Sequence, residues 1–301
     1  FLPASASTKI TYHANLAATP QTADYTPGTA NSELLDPADF TNNPLTTAPG
    51  TGKVLGNEEE KFLKASISGG AITLYDATGA PVNVQIRWAK TDSVANGGTD
   101  TWEAFYQSKT NAGAADTAWT NIGQVYTFSA NGQLSSPASG ELSINNLTVN
   151  SVNLGKITFS HGTTSLTQFA DSNGISKVTD IYQDGYASGE MSSIAISNEG
   201  RIVGTYTNGQ NLDLYKVSLA SFNSDEALEK LNGGAFAETR NSGSAIVGAQ
   251  GSIVAQALEG SNSDIADEFT KLIVTQQAYA ASTRIVTTGD DMLKEALAMK
   301  R

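Results

Sequence analysis

The last 40 residues constrain this chain most. From Ile265, steps of four and three residues reach Phe269, Leu272, Gln276, Tyr279, Thr283, Val286, Asp290, Leu293 and Leu297, and seven of these ten positions are apolar. The mean spacing of three and a half residues is the repeat of a helix that wraps another helix. Asn262, Ser263 and Asp264 are suited to cap its start, and Asp264, Asp267 and Glu268 put negative charge at the positive end of the helix dipole. Lys294, Lys300 and Arg301 place cations at the other end. No proline interrupts the stretch, so about 37 residues rising about 1.5 Å each predict a rod of about 55 Å. Each Leu, Ile or Phe in such a seam gains about 1.5–3 kcal/mol on burial, so the seam needs a partner. The other 260 residues or so contain no second helix of similar length. The partner is therefore expected on another chain or on a segment absent from this one. The sequence opens on Phe1 rather than Met, as a processed product or a fragment would.

The remainder reads as β structure. Only 16% of the 301 residues are charged, and 28 are glycine, which suits a turn-rich β protein exposed to the outside. Lys9–His13 (KITYH) alternates as a first strand. Residues 16–56 hold five prolines and predict a long surface excursion with little regular structure. Glu58, Glu59 and Glu60 read as a solvated face, since their spacing lacks the alternation of a calcium loop. Residues 71–75 and 82–88 predict a hairpin about Asp76–Gly79, with Val82, Val84, Ile86 and Trp88 on one face. Further strands are expected at 101–108, 124–128, 141–144, 149–154 and 156–159, with Asn131-Gly132 as a hairpin turn. Their number and spacing predict a sandwich or barrel. Residues 183–222 predict a three-stranded meander, and Asn223–Asn232 a short helix stopped by Gly233-Gly234. The fold class is thus mainly β: a β-sandwich or barrel domain, a second small β domain, and a long carboxyl-terminal helix of coiled-coil type. The boundaries expected are 1–182, 183–258 and 259–301.

Chemistry is sparse. A hydrolase needs a base beside a nucleophile, and His13 and His161 are the only histidines; both read as solvated side chains. Asp76–Gly79 and Asp171–Gly174 lack the downstream glutamate of a calcium loop and read as turns. Asn146-Leu147-Thr148 matches the glycosylation triplet, a pattern common by chance. Asp290 and Asp291 point in different directions on a helix and make a poor acid/base pair. With no cysteine, thiolate zinc sites, thiol nucleophiles and disulfides are excluded. A net charge of −12 argues against nucleic acid and against a polybasic membrane site. No signal peptide and no run of 18 apolar residues is present, so no membrane insertion is expected. The expectation is a protein that is not an enzyme and has no cofactor, metal or catalytic residue.

Ala257–Phe269 (ALEGSNSDIADEF), Ile273–Tyr279 (IVTQQAY) and Thr287–Leu293 (TTGDDML) resemble the carboxyl-terminal signature of the bacterial flagellar axial proteins. Thr8–Leu16, the hairpin at Ile72–Gly79, Gly185–Gly189 through Asn198–Gly200, and Leu219–Phe222 are similar to the flagellar hook protein family in particular. Gln277 stands where the family usually has Arg, and Gly289 falls inside the helix at a cost of about 1 kcal/mol relative to Ala. The resemblance implies that 1–182 is an outer β domain and 183–258 the carboxyl half of an inner one. It further implies that the family's amino-terminal helix, which pairs with the terminal helix, is missing here. The implied role is a structural subunit that assembles with itself into the flexible tube joining rod to filament, outside the cell. Implied partners are the rod and hook–filament junction proteins, the export apparatus and the hook cap. Ile265, Phe269, Leu272, Gln276, Tyr279, Val286, Leu293 and Leu297 are the expected assembly residues. A rod or hook-associated protein is the first alternative. A surface adhesin is the second, and a concave platform of Trp88, Trp102, Tyr106 and Trp119 would mark it.

Overall fold

The structure, a computed structural model, describes residues 1–47, 49–248, 251–258, 260 and 263–299. Asn262, Lys300 and Arg301, expected at the two ends of the long helix, lie outside the described residues. The chain divides into two compact units, one comprising Phe1–Ala195 with Val203–Leu214 and the other Ile196–Ile202 with Tyr215–Arg301.

The first unit starts with β1 (Lys9–Asn15), β2 (Lys53–Leu55) and a short helix, α1 (Glu59–Lys64). Four longer strands follow: β3 (Ile67–Tyr75), β4 (Pro81–Asp92), β5 (Thr101–Gln107) and β6 (Thr117–Phe128). Then come β7 (Leu134–Ser136), β8 (Glu141–Ile144), β9 (Thr148–Val149), β10 (Val152–Asn153), β11 (Ile157–Ser160), β12 (Leu166–Thr167) and β13 (Lys177–Gln183). One sheet runs β2-β6-β5-β4-β3, with β7 also paired to β6. The other runs β12-β1-β11-β8, with β13 antiparallel to β1. The predicted hairpin forms in register, Ile72 opposite Val84 and Leu74 opposite Val82. At the Asn131-Gly132 turn, Gly132 takes φ +75° and joins β6 to β7.

The larger sheet is apolar on both faces, because alternate residues of a strand point to opposite sides. Val84, Ile86 and Trp88 of β4, Trp102 and Tyr106 of β5, and Tyr126 of β6 share one core with Ile10, Tyr12, Ile157 and Phe159 of the second sheet. This is the expected sandwich. Ala89, Phe105 and Trp119 pack on the opposite side with Leu35, Phe40, Val54, Phe62 and Ala65. The proline-rich excursion is therefore no mere surface loop: irregular as expected, it closes the second face of the sheet with Leu35 and Phe40. Of the three glutamates at its end, Glu60 is solvated as expected, but Glu58 and Glu59 are not. Glu58 is buried and accepts from the Thr41 amide at 2.6 Å, while Glu59 accepts from Trp119 Nε1 at 2.9 Å. Asp76 and Asp171 cap turns, accepting from the amides of Thr78 and Asn173 at 2.8 Å.

Trp88 sits at the centre of the first core. Its Nε1 donates to the Tyr12 hydroxyl at 2.9 Å, which donates in turn to the Gly69 carbonyl at 2.9 Å. Gly69 lies in a bulge of β3, where a Cβ would meet Trp88 Cδ1 at 2.8 Å, so only glycine admits the indole.

His161, expected in solvent, is fully buried beside these rings, 2.9 Å from the Tyr126 hydroxyl and 4.7 Å from the Phe159 ring centroid. Burial lowers its pKa from 6.5 to about 4. Between those two values the unfolded chain binds the extra proton, so acidification through this window destabilises the fold, by about 3 kcal/mol in all. Urea melts at pH 7 and pH 4.5 are expected to show most of that loss in the parent, and much less in His161→Gln.

The meander forms as a three-stranded sheet of β14 (Met191–Ile196), β15 (Arg201–Tyr206) and β16 (Asn211–Lys216). The strand expected over 212–222 breaks after Lys216, and β17 (Ala220–Ser221) pairs with β20 (Ile246–Val247). The short helix expected at Asn223–Asn232 does not form. A single 3-10 turn spans Asp225–Ala227 without a side-chain cap, and β18 (Glu229–Lys230) pairs with β19 (Phe236–Ala237). Gly233 and Gly234, at φ +81° and +78°, turn this hairpin instead of stopping a helix. A ten-residue helix with no buried face is marginal, and strand pairing wins. The chain ends in α2 (Ile265–Ala298), 34 residues long.

Candidate assembly surface

Helix α2 starts where an aspartate caps it. Asp264 is extended and its Oδ1 accepts from the Ala266 amide at 2.8 Å, with Asp267 and Glu268 in the first turn. Ion pairs one turn apart, Glu268 with Lys271 at 2.7 Å and Asp290 with Lys294 at 2.6 Å, support the exposed backbone. The helix continues through Gly289 without interruption. Replacing Asp264 by Ala is expected to cost the helix start about 1 kcal/mol. Amide exchange at residues 266–269 would then be roughly five-fold faster, the factor that energy implies.

None of the residues of α2 is buried. Ile265, Phe269, Leu272, Gln276, Tyr279, Val286, Leu293 and Leu297 all lie exposed along the predicted stripe, Tyr279 at 76% and Leu272 at 52%. A seven-residue repeat drifts about 20° per heptad on a straight helix, so this stripe winds as a left-handed supercoil would require. At its start Ile265, Phe269 and Leu272 line a shallow hollow of about 250 Å³. The heptad reading missed Val274, Ile285 and Met292, which are equally exposed. They project about 100° or more from the stripe at 100° per residue. Their sequence signal is an apolar residue directly before Val286 and Leu293 and after Ile273. A helix apolar on several sides is one surrounded by neighbours rather than paired along a single seam.

The other candidate chemistry is placed elsewhere. Trp88, Trp102, Tyr106 and Trp119 are buried, and divided between the two cores, so they present no platform to solvent. His13 and His161 are on neighbouring structure, but His161 is enclosed by aromatic rings and His13 Nδ1 faces Asp180 Oδ2 at 3.3 Å. Among the described residues, no group of three His, Cys, Asp or Glu is arranged to hold a metal, and no helix is long and apolar enough to cross a membrane.

Comparison with known proteins gives the class. Residues 254–299, containing α2, match the family model described as flagellar basal body rod FlgEFG protein C-terminal. Residues 66–186, which contain β3 to β13, match the flagellar basal body protein FlaE D2 domain. A sheet domain and an exposed helix that each match a flagellar family model thus occur in one chain. Its curated relatives include the flagellar hook protein of Borreliella burgdorferi, 42% identical over 50% of this chain and 34% of that protein. The hook protein of Salmonella typhimurium is 28% identical over 74% of this chain and 53% of that protein. A solved hook protein of Helicobacter pylori aligns at TM-score 0.44 and 20% identity, over 62% of this chain and 39% of that one. The chain is similar to bacterial flagellar hook proteins, and its matched part spans about a third to a half of the length of these two curated relatives.

Proposed function

We propose that the chain is a structural subunit of the flagellar hook, assembling with copies of itself into a flexible tube outside the cell that carries torque from rod to filament. The observation that carries this reading is the 34-residue α2 with no buried residue and apolar side chains on more than one side. Seven apolar stripe residues would gain on the order of 10 kcal/mol on burial, before the cost of association is subtracted. Ile265, Phe269, Leu272, Gln276, Tyr279, Val286, Leu293 and Leu297 pack against neighbouring helices near the tube axis. Residues 1–182 then form the outer domain, 183–258 part of an inner one, and 259–301 the axial segment. Contacts between stacked β domains have alternative arrangements, which lets the tube bend as it turns. Rod, junction, cap and export proteins are its partners, and it performs no catalysis.

Immunogold labelling of purified flagella tests the placement. Label along the whole curved joint is expected. Label confined to the rod or to the filament junction would assign the chain to a rod or hook-associated protein, a reading that the breadth of the carboxyl-terminal match leaves in competition.

A further inference from the structure

The first unit contains a cleft of about 540 Å³ between residues 21–23, the end of α1, the start of β3, Arg87 of β4 and residues 175–178. Leu63 and Ile175 stand exposed on its rim. Arg87 is half-buried in it. Its Nε donates to Ser66 Oγ at 2.9 Å, and its Nη2 donates to the carbonyls of Leu63 and Ser66 at 3.0 and 2.6 Å. A guanidinium has five N–H donors, so the two on Nη1 remain, and among the described residues they have no partner and no carboxylate pairs with Arg87. Beside it Thr22, only 9% exposed, has a buried hydroxyl with no hydrogen-bond partner. The Thr22 hydroxyl, removed from water without a partner, is costly, and an anion accepting from it and from the free Arg87 donors would offset that cost. Burial already lowers the pKa of Arg87 from its usual value.

We propose that this cleft receives an Asp or Glu side chain from a second copy of the chain, which accepts from Arg87 Nη1 and the Thr22 hydroxyl while Leu63 and Ile175 cover its flanks. The inference rests on the polymer reading above. In each copy these 301 residues carry a net charge of −12, with 30 acidic residues against 18 basic. Copies packed side by side therefore repel one another unless carboxylates of one meet cations of the next. Arg suits this contact because its planar fork matches a carboxylate and is only weakly hydrated.

These 301 residues contain no cysteine, and Ile175→Cys in the full-length protein, with any cysteine outside them replaced by serine, gives an attachment site on the rim for a thiol-directed photocrosslinker. Hooks isolated from cells carrying this variant are irradiated, and the linked peptides are identified by mass spectrometry. A dimer band whose linked peptide contains Asp or Glu is expected. Its yield should fall at least about ten-fold with Arg87→Gln, and less with Arg87→Lys. If Arg87→Gln prevents assembly, Thr22→Val, which removes only the hydroxyl, serves for the same comparison. Links only within one copy, links to a different protein, or an unchanged dimer yield in these variants would overturn the cleft contact while leaving the hook reading intact. Absence of the chain from isolated hooks, seen by immunoblot before any irradiation, would overturn both.

Discussion

Cells whose only copy of this gene carries Phe269→Asp or Leu272→Asp are expected to make no hook. Both side chains are exposed on α2, at 61% and 52%, so neither substitution empties a core position, and the thermal midpoint of the sandwich should not move. In an assembled tube each replacement gives up about 1.5–3 kcal/mol of apolar burial. It also places an unpaired carboxylate among apolar neighbours, at a cost of further kilocalories. A combined loss of about 4 kcal/mol per contact raises the concentration needed for assembly about 1,000-fold. An unchanged melt with lost assembly would separate an assembly surface from a core. Lost folding would mean that α2 packs within its own chain.

The second large effect belongs to the sandwich. Trp88→Ala is expected to destabilise the first unit by about 3–5 kcal/mol, the usual cost of emptying a buried tryptophan site. The indole is fully buried, stands edge-on to Tyr126 at 4.9 Å between centroids, and donates to Tyr12 at 2.9 Å. Its loss opens a void that Gly69 has no side chain to fill, and deprives the Tyr12 hydroxyl of a donor. The denaturant midpoint of the first unit should fall sharply, with the helicity of α2 unaffected. A loss below about 1 kcal/mol would mean that the core recloses around the gap.

The sequence was legible where one periodicity acted alone. The heptads of α2 and its cap at Asp264 needed nothing beyond local spacing, and neither did the 72–88 hairpin or the turn at Asn131-Gly132. Long-range packing was not legible. Glu58 looked solvated because nothing nearby in sequence announces that Thr41 would donate to it. His161 looked like part of an exposed turn because its enclosing rings, Tyr12, Trp88, Tyr126 and Phe159, come from four separate strands. At Asn223–Asn232, helix propensity lost to a Gly-Gly hairpin. On α2 the heptad template found the main stripe and hid Val274, Ile285 and Met292, because a two-position repeat assumes one partner. Arg87 reads as an ordinary outward residue of β4, and its free donors emerge only once Leu63 and Ser66 are placed against it.

The measurement that bears most directly on the whole account is electron microscopy of cells of the source bacterium with this gene deleted. Basal bodies that end in a bare rod, with neither hook nor filament, are expected, and the full-length gene should restore both. Intact, turning flagella with normal hooks in the deleted strain would contradict this expectation.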